Sequence, residues 1–425
     1  MELETALLAP ESWTRLTIAS ICVRFTSGGT PSRQRPEYYV NGTIPWVKTQ
    51  ELSDWVLYDT EERITPDALA ASSAKLLPPN TVLMAMYGAT VGQLGILGRE
   101  MACNQACAAM VIDPSIADYR FVFYQLLANR RQIKSLATGA AQQNLSGSQV
   151  KEFVLAFPSL PEQKAIADFL WTIDCRRALL RETNLTLESV AEAIFKSWFV
   201  DFEPVHAKAA GRDPKGMDAE TAALFPSEFE DSELGPIPKG WRVDCIGNVL
   251  DTVSGTTPST RNPAFWEPGE YFWATPKDLS ALSSPVLLET ERRISQSGLE
   301  CIGSGLLPKG SLLLSSRAPI GYLAITEIET AINQGFIGML PGGQLPPLFM
   351  LFWCRLNMHT IFQHANGSTF LEISRSSFRR IRLVVPPSHV VAKFVEIAGL
   401  LLQKITNNER QRKTLTEIRD TVLPV

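Results

Sequence analysis

Residues 159–199 read SLPEQKAIADFLWTIDCRRALLRETNLTLESVAEAIFKSWF, and their apolar side chains recur at steps of three and four. Ser159 and Glu162 have the spacing of a capping box, and Pro161 lies in the first turn. The stretch therefore predicts one helix of about 40 residues, roughly 60 Å long at ~1.5 Å per residue. We expect its buried seam to comprise Ile166, Phe169, Ile173, Leu180, Leu187 and Ile194.

A second helical stretch, residues 388–423, ends the sequence with similar spacing. Lys404, Asn408 and Gln411 interrupt its apolar stripe, and polar seam residues often fix helix register. Neither stripe is suited to water, so each helix is predicted to pair with the other. The alternative is two ordinary core helices of separate domains. The predicted seam residues of the second helix are Phe394, Ile397, Leu401, Leu415 and Ile418.

The segment before each helix is one copy of an internal repeat, with an offset of about 228 residues. Ser27–Ser32 matches Ser254–Ser259, and Asn104-Gln105 matches Asn333-Gln334. A period this long indicates two copies of a whole domain. Each copy reads as mixed α/β, with strand candidates in the first at 38–40, 44–47, 81–84 and 108–111 and a helix at 118–136.

The predicted fold class is therefore α+β: two similar α/β domains and two long helices that are expected to pair with each other. The first domain is placed at 1–158 and its long helix at 159–203. A proline-rich linker with a short helix near 219–224 occupies 204–236. The second domain is placed at 237–385 and its helix at 386–425.

Composition narrows the class of protein. Apolar residues make up 45% of the chain and the net charge is −4, which is unlike a generally basic nucleic-acid coat. Seven cysteines without a CxxC pair indicate reduced thiols. The start lacks the pattern of a signal peptide, and no apolar run approaches membrane-spanning length. We therefore expect a cytoplasmic protein.

The sequence contains few candidates for catalysis. It has neither a GxxxxGK[ST] phosphate loop nor a complete dinucleotide fingerprint. The four histidines are scattered, and Cys354, His359 and His364 have loose spacing without a fourth ligand, so no metal site is predicted. Asn262–Phe265 resembles the Asn-Pro-Pro-Phe loop of adenine methyltransferases, but the second proline is missing. We predict no catalytic residue.

Equivalent polar loops in the two copies are better suited to binding DNA. Small residues let backbone approach a phosphate, arginine contacts phosphate or guanine, and Asn or Gln can read adenine. Each loop alone is typical of an ordinary turn, whereas their recurrence favours a shared binding face. The candidates in repeat one are Thr30, Ser32, Arg33, Arg35, Lys48, Tyr87, Gln105, Gln142 and Asn144. Those in repeat two are Thr257, Thr260, Arg261, Lys277, Arg317, Gln334, Thr369 and Arg375.

Three segments give the whole chain a resemblance to the specificity (S) subunits of type I restriction-modification systems. They are Leu160-Pro-Glu-Gln163, Phe195–Pro204 and Asp231–Trp241. The resemblance implies that each domain reads one half of a split DNA site. It also implies that the two long helices pair antiparallel as a coiled-coil spacer, which sets the distance between the halves. The helices would dock two methyltransferase (M) subunits, through which restriction (R) subunits join.

The same resemblance implies a non-catalytic subunit. S-adenosylmethionine, ATP and Mg would then be bound by partner subunits, and this chain would bind no cofactor. The second helix departs from the family pattern because it begins Pro386-Pro-Ser-His389, without the Leu-Pro-Glu-Gln start. An autonomous DNA methyltransferase and a protein-binding scaffold remain alternative hypotheses.

Overall fold

The computed structural model describes residues 12–137, 144–367 and 371–423. The chain divides into two compact units. Unit one comprises Met1–Arg177 and Thr414–Val425, and unit two comprises Ala178–Lys413. Each unit contains one copy of the repeat, and the division crosses both long helices. The domain boundaries expected from the sequence remain predictions.

Repeat one is built of short strands and a few short helices. Among its described residues, five strands form a sheet in the order β2–β9–β6–β7–β4, and three form a second sheet in the order β5–β3–β8. Strands β1 and β10 pair at the two ends of the repeat. The elements are β1 (Thr14–Thr17), β2 (Cys22–Ser27), β3 (Ile44–Val47), β4 (Trp55–Leu57), β5 (Arg63–Ile64), α1 (Pro66–Ala70), β6 (Val82–Ala85), β7 (Leu94–Leu97), β8 (Ala102–Cys103), β9 (Cys107–Ile112), α2 (Tyr119–Ala128), α3 (Arg130–Ser135), α4 (Gly147–Glu152) and β10 (Val154–Phe157).

A long helix and a connector follow repeat one. The helix is α5 (Leu160–Phe199). The connector carries α6 (Glu203–Ala209), α7 (Ala219–Ala223) and a hairpin of β11 (Phe229–Ser232) and β12 (Gly235–Pro238). The short helix expected near 219–224 is confirmed as α7.

Repeat two has the same strand connectivity as repeat one. In its described part the larger sheet runs β14–β21–β18–β19–β16, the smaller runs β17–β15–β20, and β13 pairs with β22. The elements are β13 (Arg242–Cys245), α8 (Ile246–Val249), β14 (Thr252–Ser254), β15 (Tyr271–Ala274), α9 (Pro276–Ser280), β16 (Val286–Leu287), β17 (Arg292–Ile294), α10 (Gln296–Glu300), β18 (Leu312–Ser316), β19 (Ile320–Thr326), β20 (Thr330–Ile332), β21 (Phe336–Met339), α11 (Pro347–Leu356), α12 (Met358–Gln363), α13 (Arg375–Arg379) and β22 (Arg382–Val385), and α14 (Ser388–Val422) closes the chain.

The strand directions also match between the copies. In each larger sheet, the edge strand β4 or β16 is parallel to its neighbour, whereas the other pairs are antiparallel. This correspondence confirms the duplication, and the predicted α+β fold class is confirmed with it. Strand candidates at 44–47, 81–84 and 108–111 are confirmed within a residue or two.

Two local predictions in repeat one are wrong. Pro36–Tyr38 forms a 3-10 turn, because the Tyr39 amide donates to the Pro36 carbonyl where a strand was expected. The helix expected at 118–136 is two helices, α2 and α3, which meet at Asn129. The Asn129 side chain donates to the Gln125 carbonyl at 2.8 Å and so competes with continuous helical bonding.

In unit one, the end of α14 packs against the beginning of α5. Leu423 lies in the same apolar cluster as Leu170. One turn further along α5, the buried carboxylate of Asp174 contacts Arg419 of α14 at 3.3 Å and accepts a hydrogen bond from Tyr124 at 2.9 Å. The two helix segments therefore run antiparallel, and a buried charged layer crosses their seam.

In unit two, the other halves of the two helices pair in the same antiparallel sense. Phe394 packs edge-on against Phe195 and Phe199, with ring centroids 5.3 and 5.4 Å apart. Three turns back along α5, Asn184 meets Asn408, whose side-chain amide donates to the Asn184 oxygen at 2.7 Å. Aromatic packing therefore joins the helices at one end of unit two, and a hydrogen-bonded polar layer joins them at the other.

The start of α5 is held by the glutamine of the Leu-Pro-Glu-Gln segment. Gln163 is 2% exposed, and its amide donates to the Pro158 carbonyl at 3.0 Å. Its side-chain oxygen accepts from the Asp118 backbone amide at 3.1 Å. One side chain thus ties the first turn of α5 to the loop before α2.

Within the described residues, no helix is both long and apolar enough to cross a membrane.

Candidate nucleic-acid interface

A Thr–Gln bridge occupies the same place in both repeats. The Thr30 hydroxyl donates to the side-chain oxygen of Gln105, and Thr257 bonds Gln334 in the same way. In each pair the glutamine lies in the turn between two strands, and the threonine lies in the glycine-containing loop. The bridge fixes that loop against the Asn-Gln turn while leaving the glutamine amide nitrogen available to a ligand.

Backbone packing explains why glycine opens each of these loops. A Cβ on Gly28 would overlap the Cys103 carbonyl oxygen, and one on Gly255 would overlap the Ile332 carbonyl. The next amide in each loop, that of Gly29 or Thr256, donates to the same carbonyl at 3.0 Å. The two loops are therefore held by main-chain bonds in equivalent geometry.

The two asparagines of the Asn-Gln pairs stabilise their own turns. The side-chain oxygen of Asn104 accepts from the Ala106 amide at 3.1 Å, and that of Asn333 accepts from the Gly335 amide at 2.9 Å. An asparagine used in this way is committed to the turn. Of each pair, only the glutamine remains a candidate for reading a base.

Arg33 stacks on aromatic rings in repeat one. Its guanidinium lies 4.3 Å from the ring centroid of Tyr39 and 5.2 Å from that of Trp46. It also pairs with Glu62 at 2.7 Å. The hydrogen bond from Arg33 is the main reason that the pKa of the Glu62 carboxyl lies below its ordinary value. Partial burial acts in the opposite direction, and Lys48 lowers the pKa further. Arg33 is thus held by two rings and a carboxylate.

Arg292 makes the corresponding contact in repeat two. It lies 3.5 Å from the ring centroid of Trp266 and 5.5 Å from that of Trp273. Arg292 is not among the residues that the sequence predicts to contact DNA. The aligned repeats contain a signal that could have identified Arg292. Thr60-Glu-Glu-Arg-Ile64 aligns with Thr290-Glu-Arg-Arg-Ile294, so Arg292 stands where the first repeat has Glu62.

The two predicted lysines are both engaged by acidic side chains. Lys48 pairs with Glu61 at 2.8 Å and Glu62 at 3.2 Å, and the Glu61 contact is the main reason that its pKa is raised. Lys277 pairs with Glu291 at 2.7 Å, which raises its pKa in the same way. DNA phosphates would have to compete with these carboxylates.

A β-bridge joins the mid-domain turn to a later loop in each repeat. Tyr87 bridges Asn144, and Arg317 bridges Glu372, whose carboxylate also lies 3.7 Å from the Arg317 guanidinium. The predicted contacts Tyr87, Asn144 and Arg317 are thereby placed together with their loops. Gln142 and Thr369 lie outside the described residues.

Two arginines near the end of repeat two, Arg375 and Arg379, make structural contacts. Arg375 donates to the Thr252 carbonyl at 3.2 Å. Arg379 donates to the Gly247 carbonyl at 2.7 Å and to the Thr252 hydroxyl at 3.3 Å. These bonds fasten α13 to α8 and β14, so the guanidinium of Arg375, which the sequence predicts to contact DNA, also has a structural role.

The other predicted contacts lie at exposed loop positions. Arg35 stacks on its neighbour Tyr38 and donates to the tyrosine hydroxyl at 2.9 Å. The remaining exposed candidates are Ser32, Thr260 and Arg261. The role of all these residues in binding DNA stays a prediction.

Burial along the two helices differs among the predicted seam residues. Phe169 and Ile418 are 56% and 42% exposed. Among the most buried positions are several that the heptad prediction omitted, including Ala167, Leu170 and Asn184. The other predicted residues are buried or half-buried: Ile166, Ile173, Leu180, Leu187, Ile194, Phe394, Ile397, Leu401 and Leu415.

Known proteins resemble the chain over most of its length. A family model described as the type I restriction modification DNA specificity domain matches residues 10–189 and again 238–417. The MjaIX type I restriction enzyme specificity subunit of Methanocaldococcus jannaschii is 26% identical over 98% of this chain and 92% of its own length. The HindI specificity subunit of Haemophilus influenzae is 25% identical over 74% of this chain and 78% of its own.

A solved structure supports the fold. The crystal structure of a type I restriction-modification system S subunit from M. genitalium covers 100% of this chain and 97% of its own, with a TM-score of 0.56 and 19% identity. The family model matches each copy of the repeat separately, together with part of the long helix that follows it. The chain therefore belongs to the type I restriction-modification DNA specificity family.

Proposed function

We propose that this chain selects the DNA site of a type I restriction-modification complex and catalyses no step itself. Each repeat reads one half of a bipartite site, and α5 with α14 sets the number of unread base pairs between the halves. The observation that carries the proposal is the recurrence of one loop framework with different side chains in the two repeats. A common framework with unlike contact residues is suited to two different half-sites.

Partner subunits supply the chemistry in this proposal. Two methyltransferase subunits dock on the helices and connector and bring S-adenosylmethionine, and restriction subunits that use ATP and Mg join through them. Exposed apolar side chains on α5, among them Phe169 and Leu179, offer surface for such docking. With a net charge of −4, this chain gains DNA affinity when partners close around the duplex. We place this function in the cytoplasm.

Long-read methylation mapping tests the proposal directly. The chain is expressed with its matching methyltransferase subunits in a host that lacks adenine methylation of its own. We expect a split motif with methylated adenines, and none when the methyltransferase subunits are expressed without the chain. The same motif in both strains would contradict a role in specificity. Binding of S-adenosylmethionine by the purified chain in calorimetry would instead support an autonomous methyltransferase. Gel shifts with and without the partner subunits would identify a protein-binding scaffold, which would not bind DNA in either case.

Helix length provides a second test. One heptad is inserted after Arg177 and one after Lys413, at the division between the two units, so that the polar layers at Asp174 and Asn184 stay intact. Seven residues add ~10 Å of helix at ~1.5 Å per residue. The gap in the motif should lengthen by about three base pairs at ~3.4 Å each. Insertion in one helix alone is the control and should abolish methylation, whereas an unchanged gap in the double insertion would refute the role of helix length.

A further inference from the structure

An aromatic pair stands at the same place in both repeats. Tyr39 and Trp46 meet edge to face in repeat one, with centroids 6.0 Å apart, and Trp266 and Trp273 do so in repeat two at 5.0 Å. The second ring of each pair is a tryptophan, and it is anchored to the glycine-containing loop. The Trp46 indole donates to the Gly29 carbonyl at 2.9 Å, and the Trp273 indole donates to the Thr256 carbonyl at 3.3 Å. The rings are therefore fixed in position next to the loop.

A guanidinium covers this aromatic pair in both repeats, but it comes from different elements. Arg33 reaches the rings from the loop after β2. Its counterpart in the alignment, Thr260, has no charge, and Arg292 on β17 reaches the rings instead. Glu62, the counterpart of Arg292, pairs with Arg33. Two exchanges between the repeats have thus moved the positive charge from a loop to a strand and kept it over the rings.

The surroundings of the two guanidinium groups differ in charge. Arg33 shares the Glu62 carboxylate with Lys48, so repeat one holds its guanidinium in an ion-paired cluster. In the described part of repeat two, no carboxylate pairs with Arg292, whose side chain is exposed. The common feature is therefore the stacked guanidinium, since the acidic partner is present in one repeat and absent from the described residues of the other.

A stacked guanidinium is suited to reading a base edge. The rings fix its plane, while its N–H donors at the rim stay directed outward. Two such donors match the O6 and N7 acceptors of guanine in the major groove. A stacked arginine also loses less rotamer freedom on binding than a free one does.

We propose that the same subsite occurs in each repeat, with Arg33 and Arg292 as its specificity-determining residues. Each of them reads a guanine in its own half-site. This inference rests on the proposed DNA-reading function. Glu62 is a positioning residue that holds Arg33 in the orientation that the strand backbone gives to Arg292.

Alanine substitution and methylation mapping test the subsite. Arg292→Ala should make one guanine position of one half-site degenerate, with discrimination against other bases falling on the order of ten- to a hundredfold. Arg33→Ala should do the same in the other half-site only. Arg293→Ala is the matched control, because Arg293 is the next residue on β17, points to the opposite face and stacks on Phe272 at 4.2 Å. The control should leave the motif unchanged.

A charge transplant makes the test sharper. Arg33→Thr gives repeat one the residue found at position 260 and should relax its half-site. The double variant R33T/E62R supplies the guanidinium from the position aligned with Arg292, as in repeat two, and should restore the guanine. Lys48 keeps Glu61 as its partner in this variant. Restoration of a single base position is not expected from a merely structural role.

The results separate the subsite from the proposed function. If the wild-type chain yields a split motif with guanine in both half-sites and the variants behave as described, the subsite is supported. A split motif that stays unchanged in Arg33→Ala and Arg292→Ala, or that lacks guanine in one half-site, would overturn the subsite and leave the DNA-reading function intact. Uniformly weaker methylation without a degenerate base would indicate phosphate contacts and would also overturn it. The absence of any chain-dependent motif in the wild type would refute the proposed function itself.

Discussion

Replacing Asn184 or Asn408 with leucine tests the polar layer between α5 and α14 in unit two. The two residues are 1% and 2% exposed, so neither amide has access to water. Asn408 donates to Asn184 at 2.7 Å, and Asn184 donates to Glu409 at 2.6 Å. Arg412 donates to the same Glu409 oxygen at 2.8 Å, so the carboxylate keeps a partner when Asn184 is removed.

The magnitude follows from which groups lose their partners. Asn184→Leu leaves the Asn408 amide buried without an acceptor, and Asn408→Leu leaves the Asn184 oxygen without its donor. Each single change should cost ~1–3 kcal/mol of unfolding free energy. The double variant N184L/N408L removes both groups and should lie close to wild type, because two leucines fill an apolar seam. The coupling free energy between the sites, which is the sum of the two single costs when the double variant costs nothing, is therefore expected to be ~2–6 kcal/mol.

Calorimetric unfolding of the four proteins measures this cycle. For a unit of this size, a cost of ~2 kcal/mol lowers Tm by roughly 4–8 °C. Thr406→Val is the matched control on the same helix, because the Thr406 hydroxyl is buried and has no hydrogen-bond partner among the described residues. This control should be neutral or stabilising. Single leucine variants as stable as wild type, or a double variant whose cost equals the sum of the singles, would refute the account of the layer.

Three further changes probe the anchors of the two repeats. Gln163→Leu should cost ~1–3 kcal/mol of unfolding free energy, because it leaves the Asp118 amide and the Pro158 carbonyl without their side-chain partner. Hydrogen exchange at the Asp118 amide should become faster, and unchanged exchange would contradict this cause. Phe394→Ala should cost ~3–5 kcal/mol by opening a cavity among the aromatic rings of unit two, whereas Leu400→Ala, at a position that is 66% exposed, should change Tm little. Hydrogen bonds from Arg242, Asn248 and the Cys245 amide lower the pKa of Asp244 to about 2, so its carboxylate stabilises the folded state above the ordinary value of 3.8 and loses that effect as pH falls towards 2. The difference in urea midpoint between wild type and Asp244→Asn should therefore be largest near pH 7 and should shrink as pH falls from about 4 through 2. A difference that does not change with pH would contradict the assignment.

The sequence predicted the fold well because two independent patterns agreed. Helical periodicity located α5 and α14, and the internal matches located the repeats. Residue alternation and composition wrongly predict a strand at Tyr38–Val40, because a turn that begins with proline and contains aromatic residues has the composition of a strand. They also missed the break at Asn129, which depends on one side-chain bond to the backbone.

The candidate interface was less accessible to sequence reasoning. Residue type identified Arg33, but the choice between base contact and structural use depends on three-dimensional partners. Arg375 was selected for its charge, yet the structure uses it to hold β14. Arg292 was overlooked because it lies on a strand, where a stacked guanidinium leaves no loop signature.

In the two repeats, the residues that fix the backbone of the loops can be told apart from the residues whose side chains differ at the surface. Positions whose role is backbone geometry are the same in both copies: the glycine whose Cβ would overlap a carbonyl, the asparagine that closes the next turn, and the tryptophan that donates to the loop. Other positions differ between the copies: Arg33 aligns with Thr260, and Glu62 against Arg292 is a reversal of charge. Such a reversal in a core would cost several kcal/mol. At an exposed site fixed by a rigid framework it alters only the surface that is presented, so a duplicated domain can change the half-site it reads while its fold stays the same.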